Sequence, residues 1–313
     1  MNETATFPLI GHDQPKARFL EAYGSGRLHH GWIFQGPSGI GKSIFAKRLA
    51  GLILGAESDD APKTDIVMGK ILSGSHPDLK WVTLQLNDKG QPKQDISVDQ
   101  IRELNGFFAL RPAMAGWRVG VIDAIDEMNP SGLNALLKTL EEPPENAILF
   151  LISHGRTPVL PTIRSRCQVL RLNRLSDEDT NRVLALADAD SAFVKSLASG
   201  RPGYGIALEA AGAGVAAQAA RTLLKSIETK PDPSIIAQAL TAAASDAGVL
   251  AAYTDTLLEW AADSAEHRPE IARIWLDMHA VRTTAKELNL TPLQTATKLL
   301  TVLQDGLKSI AIA

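Results

Sequence analysis

Short apolar runs alternate with amphipathic stretches through the first half of the chain. The apolar runs predict buried strands, because a strand in a parallel sheet is covered on both faces. The amphipathic stretches, such as residues 98–104 and 133–140, predict helices. Strands that alternate with helices are typical of a parallel α/β sheet, which we expect over residues 1–174. The apolar runs are Trp32–Phe34, Trp81–Leu84, Val119–Ile122, Ile148–Ile152 and Val169–Leu172.

The pattern changes after the last predicted strand, where the chain becomes rich in alanine and loses its strand signals. Ser176, followed by three acidic residues, is typical of a helix N-terminus. Thr291 and Pro292 predict the start of a last helix. The turn at Gly212-Ala213-Gly214 predicts a boundary between two helical parts. We therefore expect a small helical domain over 175–212 and a larger one over 213–313.

Length and composition agree with a globular protein of more than one domain. The chain has 313 residues, of which 45% are hydrophobic and 21% charged, so it is long enough for two or three domains. Its single cysteine, Cys167, excludes an intramolecular disulfide and a four-cysteine zinc site. The histidines lack the spacing of a zinc site, and we expect no structural metal.

Charge and hydropathy limit which partners and which cellular compartment we expect for this protein. The formal net charge is −3, so we expect any contact with DNA to be shared with partner proteins. The N-terminus lacks a basic segment followed by an apolar one, and no apolar stretch is long enough to span a bilayer. These features predict a cytoplasmic protein without membrane contact.

A complete phosphate-binding loop follows the first predicted strand and precedes a helical run. The glycines allow backbone N–H groups to close around a phosphate, the lysine neutralises phosphate oxygens, and the serine hydroxyl is a ligand for Mg²⁺. The sequence therefore predicts a nucleotide site that takes ATP and Mg²⁺. The loop consists of Gly36, Pro37, Ser38, Gly39, Ile40, Gly41, Lys42 and Ser43.

A carboxylate follows the third predicted strand, where nucleotide-hydrolysing P-loop proteins hold their metal. Asp123 is this second candidate for binding the nucleotide and Mg²⁺. Ala124 follows it, at the position where many self-hydrolysing ATPases place a glutamate that activates water. Asp126 and Glu127 lie two and three residues further on, and the sequence leaves open whether either of them compensates.

Two further segments carry charges that ordinary helix rules do not explain. Glu141 and Glu142 come at the end of a predicted helix, just before two prolines, where negative charge opposes the helix dipole. This placement indicates either a function or a solvated helix end. Arg164 and Arg166 lie just before the last predicted strand. An arginine on a rigid segment is able to stabilise phosphoryl transfer in a neighbouring subunit.

Several of these segments occur together in one known family. They are Leu28-His29-His30-Gly31-Trp32, the phosphate-binding loop, Ser75-His76-Pro77-Asp78-Leu79, Asn134-Ala135-Leu136-Leu137-Lys138-Thr139-Leu140-Glu141-Glu142-Pro143-Pro144 and Ser165-Arg166-Cys167. Together they resemble bacterial clamp-loader AAA+ proteins. The resemblance extends almost from end to end, although the last third agrees only in being helical.

This resemblance implies a three-part subunit of a clamp loader within the DNA polymerase III holoenzyme. Its parts are an AAA+ P-loop domain with a five-stranded parallel sheet, a small helical lid and an all-α collar that assembles a hetero-pentamer. The implied partners are the gamma/tau motor subunits, the delta subunit, the sliding clamp and primed DNA. The resemblance also implies that Arg166 acts in trans as an arginine finger, and that Lys42, Ser43 and Asp123 match the positions that bind nucleotide and Mg²⁺.

The chain departs from the family pattern at three points, and the first two disfavour ATP hydrolysis by this chain, in agreement with a non-motor, or stator, subunit with weak or absent ATPase activity. Ala124 replaces the usual catalytic glutamate, glycine occupies the sensor-arginine position near Gly200–Gly203, and a four-cysteine zinc module is absent. One alternative is a motor subunit that hydrolyses ATP itself, which Lys42→Ala would inactivate. Another is a P-loop kinase for a small molecule, although the acidic, alanine-rich segment 176–212 does not favour it.

Overall fold

The computed structural model describes most of the chain. The described residues are 8–87, 93, 95–114, 116–155, 158–189, 194–195, 198–210, 212, 214–227, 232–245 and 247–312. Residues 1–7 of the N-terminus and Ala213 of the predicted boundary turn lie outside them.

A parallel sheet forms the centre of the first part of the chain, as the alternation of apolar runs and helices predicts. Its spatial order is β2-β3-β4-β1-β5, and every neighbouring pair is parallel. The strands are β1 (Gly31–Gln35), β2 (Leu79–Thr83), β3 (Arg118–Asp123), β4 (Ala147–Ser153) and β5 (Gln168–Arg171). The predicted α/β P-loop fold with a five-stranded sheet is therefore confirmed.

Helices cover both faces of this sheet. A short 3₁₀ turn, Ile125–Glu127, follows β3 directly. The helices of this part are α1 (Asp13–Gly24), α2 (Lys42–Ile53), α3 (Ile66–Leu72), α4 (Val98–Phe108), α5 (Pro130–Glu141), α6 (Pro161–Arg164) and α7 (Asp177–Leu186).

The alternation of side chains along the strands divides the hydrophobic core into two layers. On one face, Phe34 of β1 lies in a cluster with Phe19 of α1 and Phe45 of α2. On the other face, Ile33 of β1 lies in a cluster with Leu104 of α4 and Leu136 of α5. The adjacent residues Ile33 and Phe34 thus fix β1 between two helical layers.

The strand register brings functional segments to one edge of the sheet. Gln35, the last residue of β1, lies opposite Ser153, the last residue of β4. Asp123, the last residue of β3, lies opposite Ile152. The carboxyl ends of three adjacent strands therefore meet at this edge, which is where open α/β sheets bind their ligands.

The described chain divides into two compact units. One comprises the described residues within 1–188 and 198–204, and the other comprises the described residues within 189–197 and 205–313. The finer division into 1–174, 175–212 and 213–313 stays a prediction.

The C-terminal part is helical, as its alanine-rich pattern predicts. Its core contains fully buried large side chains, among them Tyr253, Leu257, Met278 and Leu299. None of the described helices combines the length and apolar character that crossing a bilayer requires. The remaining helices are α8 (Pro202–Ala210), α9 (Gly214–Ser226), α10 (Pro233–Ala243), α11 (Ala247–Ala265), α12 (Ile271–Glu287) and α13 (Pro292–Ile312).

Candidate nucleotide site

The phosphate-binding loop joins the carboxyl end of β1 to the N-terminus of α2. Gly39 and Gly41 both adopt left-handed backbone conformations, with φ of 85° and 97°, which side chains other than glycine rarely tolerate. Gly36 is equally constrained, because an added Cβ would collide with the carbonyl oxygen of Leu172. The loop therefore needs its glycines, and it leads directly into the positive end of α2.

Lys42 is the first residue of α2, and its side chain folds against the loop. Its Nζ donates hydrogen bonds to the carbonyl oxygens of Gly36, at 2.7 Å, and of Pro37. The residue is only 3% exposed. A buried ammonium group is costly unless it is hydrogen-bonded, and these carbonyl oxygens provide that compensation. The structure thus positions a cation beside the phosphate-binding loop.

Ser43 and Asp123 come together as the sequence predicts. The Ser43 hydroxyl donates a 2.7 Å hydrogen bond to Oδ2 of Asp123 at the end of β3. Burial raises the pKa of Asp123, whereas the hydrogen bond from Ser43 and the positive charges of Lys42 and Lys47 act in the opposite direction. A hydroxyl and a carboxylate are the hard oxygen donors that Mg²⁺ prefers.

The residues around this pair fit Mg²⁺ only if a nucleotide supplies further ligands. Among the described residues, no group of three or more histidine, cysteine, aspartate or glutamate side chains is arranged to hold a metal ion. Mg²⁺ is commonly held by one or two protein ligands together with substrate phosphates and water. Ser43 and Asp123 are the two residues here that suit this arrangement.

Asp126 is tied to the end of the neighbouring strand β4 by two hydrogen bonds. Its Oδ2 accepts a 2.6 Å hydrogen bond from the backbone N–H of His154, and its Oδ1 accepts a 3.3 Å bond from the Ser153 hydroxyl. Asp126 therefore ties the turn after β3 to the end of β4. Glu127 contributes its backbone carbonyl, which accepts a hydrogen bond from the N–H of Ile96.

His154 and Ser153 are polar residues at this edge that the sequence analysis missed. Nε2 of His154 lies 4.0 Å from Oδ1 of Asp123, and the backbone carbonyl of Ser153 accepts a hydrogen bond from Gly36 N–H. Both follow directly from the position of β4 between β1 and β3. The available signal was the change from apolar residues to Ser153 and His154 at the end of a predicted strand. Its interpretation depended on knowing the strand order.

A second missed residue, His12, contacts the loop from the start of α1. Its Nε2 donates a 2.8 Å hydrogen bond to the carbonyl oxygen of Ile40. Burial lowers the pKa of His12, although its bond to Ile40 acts in the opposite direction. Burial thus favours the neutral form of this imidazole, which supports the loop through its hydrogen bond, and nothing in the local sequence pattern marks it.

The segment that follows Gly200 also contacts the loop. The backbone N–H of Gly203 donates a 2.8 Å hydrogen bond to the carbonyl oxygen of Gly39, and Tyr204 packs against the same glycine. The guanidinium of Arg201 lies 4.1 Å from the centre of the Tyr204 ring. At the predicted sensor position, glycine thus contributes backbone to the loop, while the nearby Arg201 stacks on tyrosine.

Arg166 lies apart from these groups, immediately after α6. Its Nη2 lies 2.9 Å from Oε1 of Glu141, and its Nη1 donates to the Thr162 carbonyl oxygen at 2.9 Å and to the Ser165 hydroxyl at 3.3 Å. The side chain is 36% exposed. The structure therefore unites the loop with Asp123 and presents Arg166 at a separate, solvent-accessible position.

Comparison with known proteins identifies relatives for the sheet-containing part. A family described as DNA polymerase III, delta subunit, matches residues 11–176. DNA polymerase III subunit delta' of Pseudomonas aeruginosa is 35% identical over 158 residues, which cover 49% of this chain and 45% of that protein. DNA polymerase III subunit gamma of Buchnera aphidicola subsp. Schizaphis graminum is 30% identical over 174 residues, or 55% of this chain and 46% of that protein.

The matched part of the chain thus spans less than half the length of these curated relatives. Among solved structures, a DNA polymerase III gamma subunit-related protein of Thermotoga maritima is similar with a TM-score of 0.44 and 16% identity. That similarity covers 94% of this chain and 100% of the other.

Proposed function

This chain belongs to the DNA polymerase III delta subunit family, and on that premise we propose that it is a non-motor, or stator, subunit of the bacterial clamp loader. In this role it helps to load the sliding clamp onto primed DNA and supplies Arg166 to the nucleotide site of a neighbouring motor subunit. The observation that carries the proposal is a partly exposed Arg166 whose contacts, among the described residues, do not include the loop 36–43, in a chain where Ala124 follows Asp123.

The nucleotide site supports binding of ATP with Mg²⁺. Residues 36–43 provide backbone N–H groups at the start of α2, and Lys42 provides a positive charge. Ser43 and Asp123, with oxygens 2.7 Å apart, are the ligands we propose for Mg²⁺. Bound Mg²⁺ supplies charge neutralisation at the phosphates, while the loop orients them.

The same site gives little support for hydrolysis by this chain. Ala124 offers a buried methyl group where a carboxylate is needed to orient the attacking water. Asp126 accepts hydrogen bonds from Ser153 and the His154 backbone, which hold its carboxylate at the end of β4. We therefore propose that the ATPase activity of this chain itself is weak or absent.

Arg166 supports a role in trans because of its exposure and its attachment. In the described part of the chain, its side chain contacts Glu141, Thr162 and Ser165 and none of residues 36–43. A guanidinium group always carries its charge and presents several donors in a plane, which suits the transferring phosphoryl group. Arginine fingers of this kind raise hydrolysis rates by roughly 10³–10⁵.

The proposed assembly is a hetero-pentamer with gamma/tau motor subunits and the delta subunit. The relatives' names place them in DNA polymerase III, and the helical C-terminal part has the buried stripes of a packing domain. We propose that residues 213–313 form the collar that joins the subunits, and that 175–212 form the lid. Contact with the clamp and with DNA takes place within this complex.

The test is ATP hydrolysis by a loader reconstituted with clamp and primed DNA. Arg166→Ala in this chain should lower hydrolysis at the neighbouring site by about 10³-fold or more, with normal assembly. Arg164→Ala is the matched control, because Arg164 is an exposed arginine two positions away, and it should keep wild-type turnover. Equal turnover of the Arg166→Ala and wild-type loaders would refute the arginine finger.

The main alternative is a motor subunit that hydrolyses its own ATP. The completeness of the loop, including Lys42 and Ser43, is the observation in its favour. It predicts that Lys42→Ala in this chain removes the part of the loader's ATP turnover that comes from this chain's own nucleotide site. The stator proposal predicts that hydrolysis depends instead on Arg166.

A further inference from the structure

We propose that Glu141 is a positioning residue for Arg166, which holds the guanidinium group in the orientation needed for catalysis in a neighbouring subunit. The inference rests on the proposed function of Arg166 and extends it to a second residue. It also gives a function to the acidic helix end that local helix rules leave unexplained.

The Arg166 guanidinium is held from two sides. Oε1 of Glu141 lies 2.9 Å from Nη2, while Nη1 donates to the Thr162 carbonyl oxygen at 2.9 Å and to the Ser165 hydroxyl at 3.3 Å. A planar group held by an ion pair at one terminal nitrogen and by hydrogen bonds at the other loses much of its freedom to rotate. The contact with Glu141 therefore restricts the orientations that the Arg166 side chain can adopt.

The same contacts leave part of the guanidinium available. Arginine has five N–H donors, and within the described residues Arg166 donates hydrogen bonds from Nη1 and forms its ion pair with Glu141 through Nη2. The side chain is 36% exposed. A phosphate from a neighbouring molecule can thus be approached by the remaining donors while Glu141 keeps its contact.

The attachment point of Glu141 is itself fixed by close packing. His30 Nε2 donates a 3.1 Å hydrogen bond to the carbonyl oxygen of Leu140, which precedes Glu141 at the end of α5. A Cβ at Gly31 would lie 3.0 Å from Sγ of Cys167, 3.1 Å from Cδ2 of Leu140 and 3.3 Å from the Arg166 carbonyl oxygen. A larger residue at position 31 would push these segments apart by a few tenths of an ångström.

Three segments of distant sequence therefore meet around the finger. They are the start of β1, the end of α5 and the residues after α6. Since each of these segments adjoins a strand or a helix, rigid elements rather than a free loop hold the Glu141–Arg166 pair. Preorganisation of this kind is what a charge-stabilising catalytic group requires.

Helix electrostatics also favour a specific role for Glu141. The last turn of a helix carries partial negative charge, so an acid there is unfavourable. Glu141 is the last residue of α5 and is compensated by the positive charge of Arg166. Glu142, the next residue, is exposed and provides a control with the same charge.

The experiment measures steady-state ATP hydrolysis by the reconstituted loader with clamp and primed DNA. Glu141→Gln should lower kcat about two- to fivefold, the range expected for loss of one exposed ion pair. The KM for ATP and co-elution with the other subunits should stay unchanged, because the finger acts on the transition state. Glu142→Gln should match wild type, and Glu141→Asp, with a shorter carboxylate arm, should be intermediate.

A double-mutant cycle separates positioning from a merely structural contribution. In an Arg166→Ala background, Glu141→Gln should have no further effect on kcat, because its action passes through Arg166. An equal loss in both backgrounds would overturn the inference, as would a Glu141→Gln loader with wild-type or raised turnover. If Arg166→Ala lowers turnover while Glu141→Gln does not, the proposed function stands and this inference fails. If Arg166→Ala has no effect, both fail.

Discussion

Two glycines of the phosphate-binding loop offer a matched test of how the loop is supported. Gly39 and Gly41 both have left-handed φ values, of 85° and 97°. A Cβ at Gly39 would lie 2.5 Å from the backbone nitrogen of Tyr204 and 2.8 Å from its Cβ, whereas a Cβ at Gly41 has nothing within 4 Å. Alanine therefore imposes left-handed backbone strain at both positions. Only at position 39 would its Cβ also collide with a neighbouring residue.

The difference in stability can be worked out from these contacts. A left-handed alanine costs about 1–2 kcal/mol at either position. Gly39→Ala also forces a backbone shift, at about 1–3 kcal/mol for overpacking, and strains the hydrogen bond from Gly203 N–H to the Gly39 carbonyl oxygen. We expect Gly39→Ala to lower the free energy of unfolding by about 2–5 kcal/mol and Gly41→Ala by about 1–2 kcal/mol.

The assay is urea denaturation of the full chain in the absence of nucleotide, with midpoints compared at constant slope. Tyr204→Ala should not rescue Gly39→Ala, because the nearest atoms are the backbone nitrogen and Cβ of residue 204, which alanine retains. Equal losses for the two glycine variants would refute the packing of residues 203–204 on the loop.

Three further predictions concern the nucleotide site and the helical part. Asp123→Asn should stabilise the chain at neutral pH, because burial raises the pKa of Asp123 and folding therefore disfavours its ionised form; in thermal melts the gain should shrink as the pH falls. Lys42→Met should raise the Kd for a fluorescent ATP analogue at least about tenfold, and should cost about 1–3 kcal/mol in urea denaturation by leaving carbonyl oxygens of the loop without a donor. Truncation after Gly214 should abolish co-elution with the other loader subunits, and a truncated chain that still co-elutes would refute the collar assignment.

The sequence was sufficient to predict the sheet and the position of the phosphate-binding loop between a strand and a helix, because both depend on local patterns. Apolar runs such as 148–152 predict β4 directly, and the spacing of Gly36, Lys42 and Ser43 implies a loop before a helix. The meeting of Ser43 with Asp123 was also predictable, since the carboxyl ends of parallel strands share one edge of the sheet.

Contacts that depend on strand order or on distant segments were not predictable in this way. His154 becomes a neighbour of Asp123 only because β4 lies beside β3. His12 and Gly203 reach the loop through single hydrogen bonds to backbone carbonyl groups, which leave no periodic signal in the sequence. The pairing of Glu141 with Arg166 likewise required the folded chain, because the two residues lie on separate segments.

The most direct measurement of the central claim is ATP hydrolysis by three loaders assembled in parallel. They carry this chain as wild type, as Lys42→Met or as Arg166→Ala, with clamp and primed DNA present. A stator that completes a neighbour's site predicts that Arg166→Ala removes hydrolysis at that site, whereas Lys42→Met leaves the turnover of the assembled complex close to wild type. Loss of turnover with Lys42→Met, together with wild-type turnover for Arg166→Ala, would show that the chain is a motor and contradict the account.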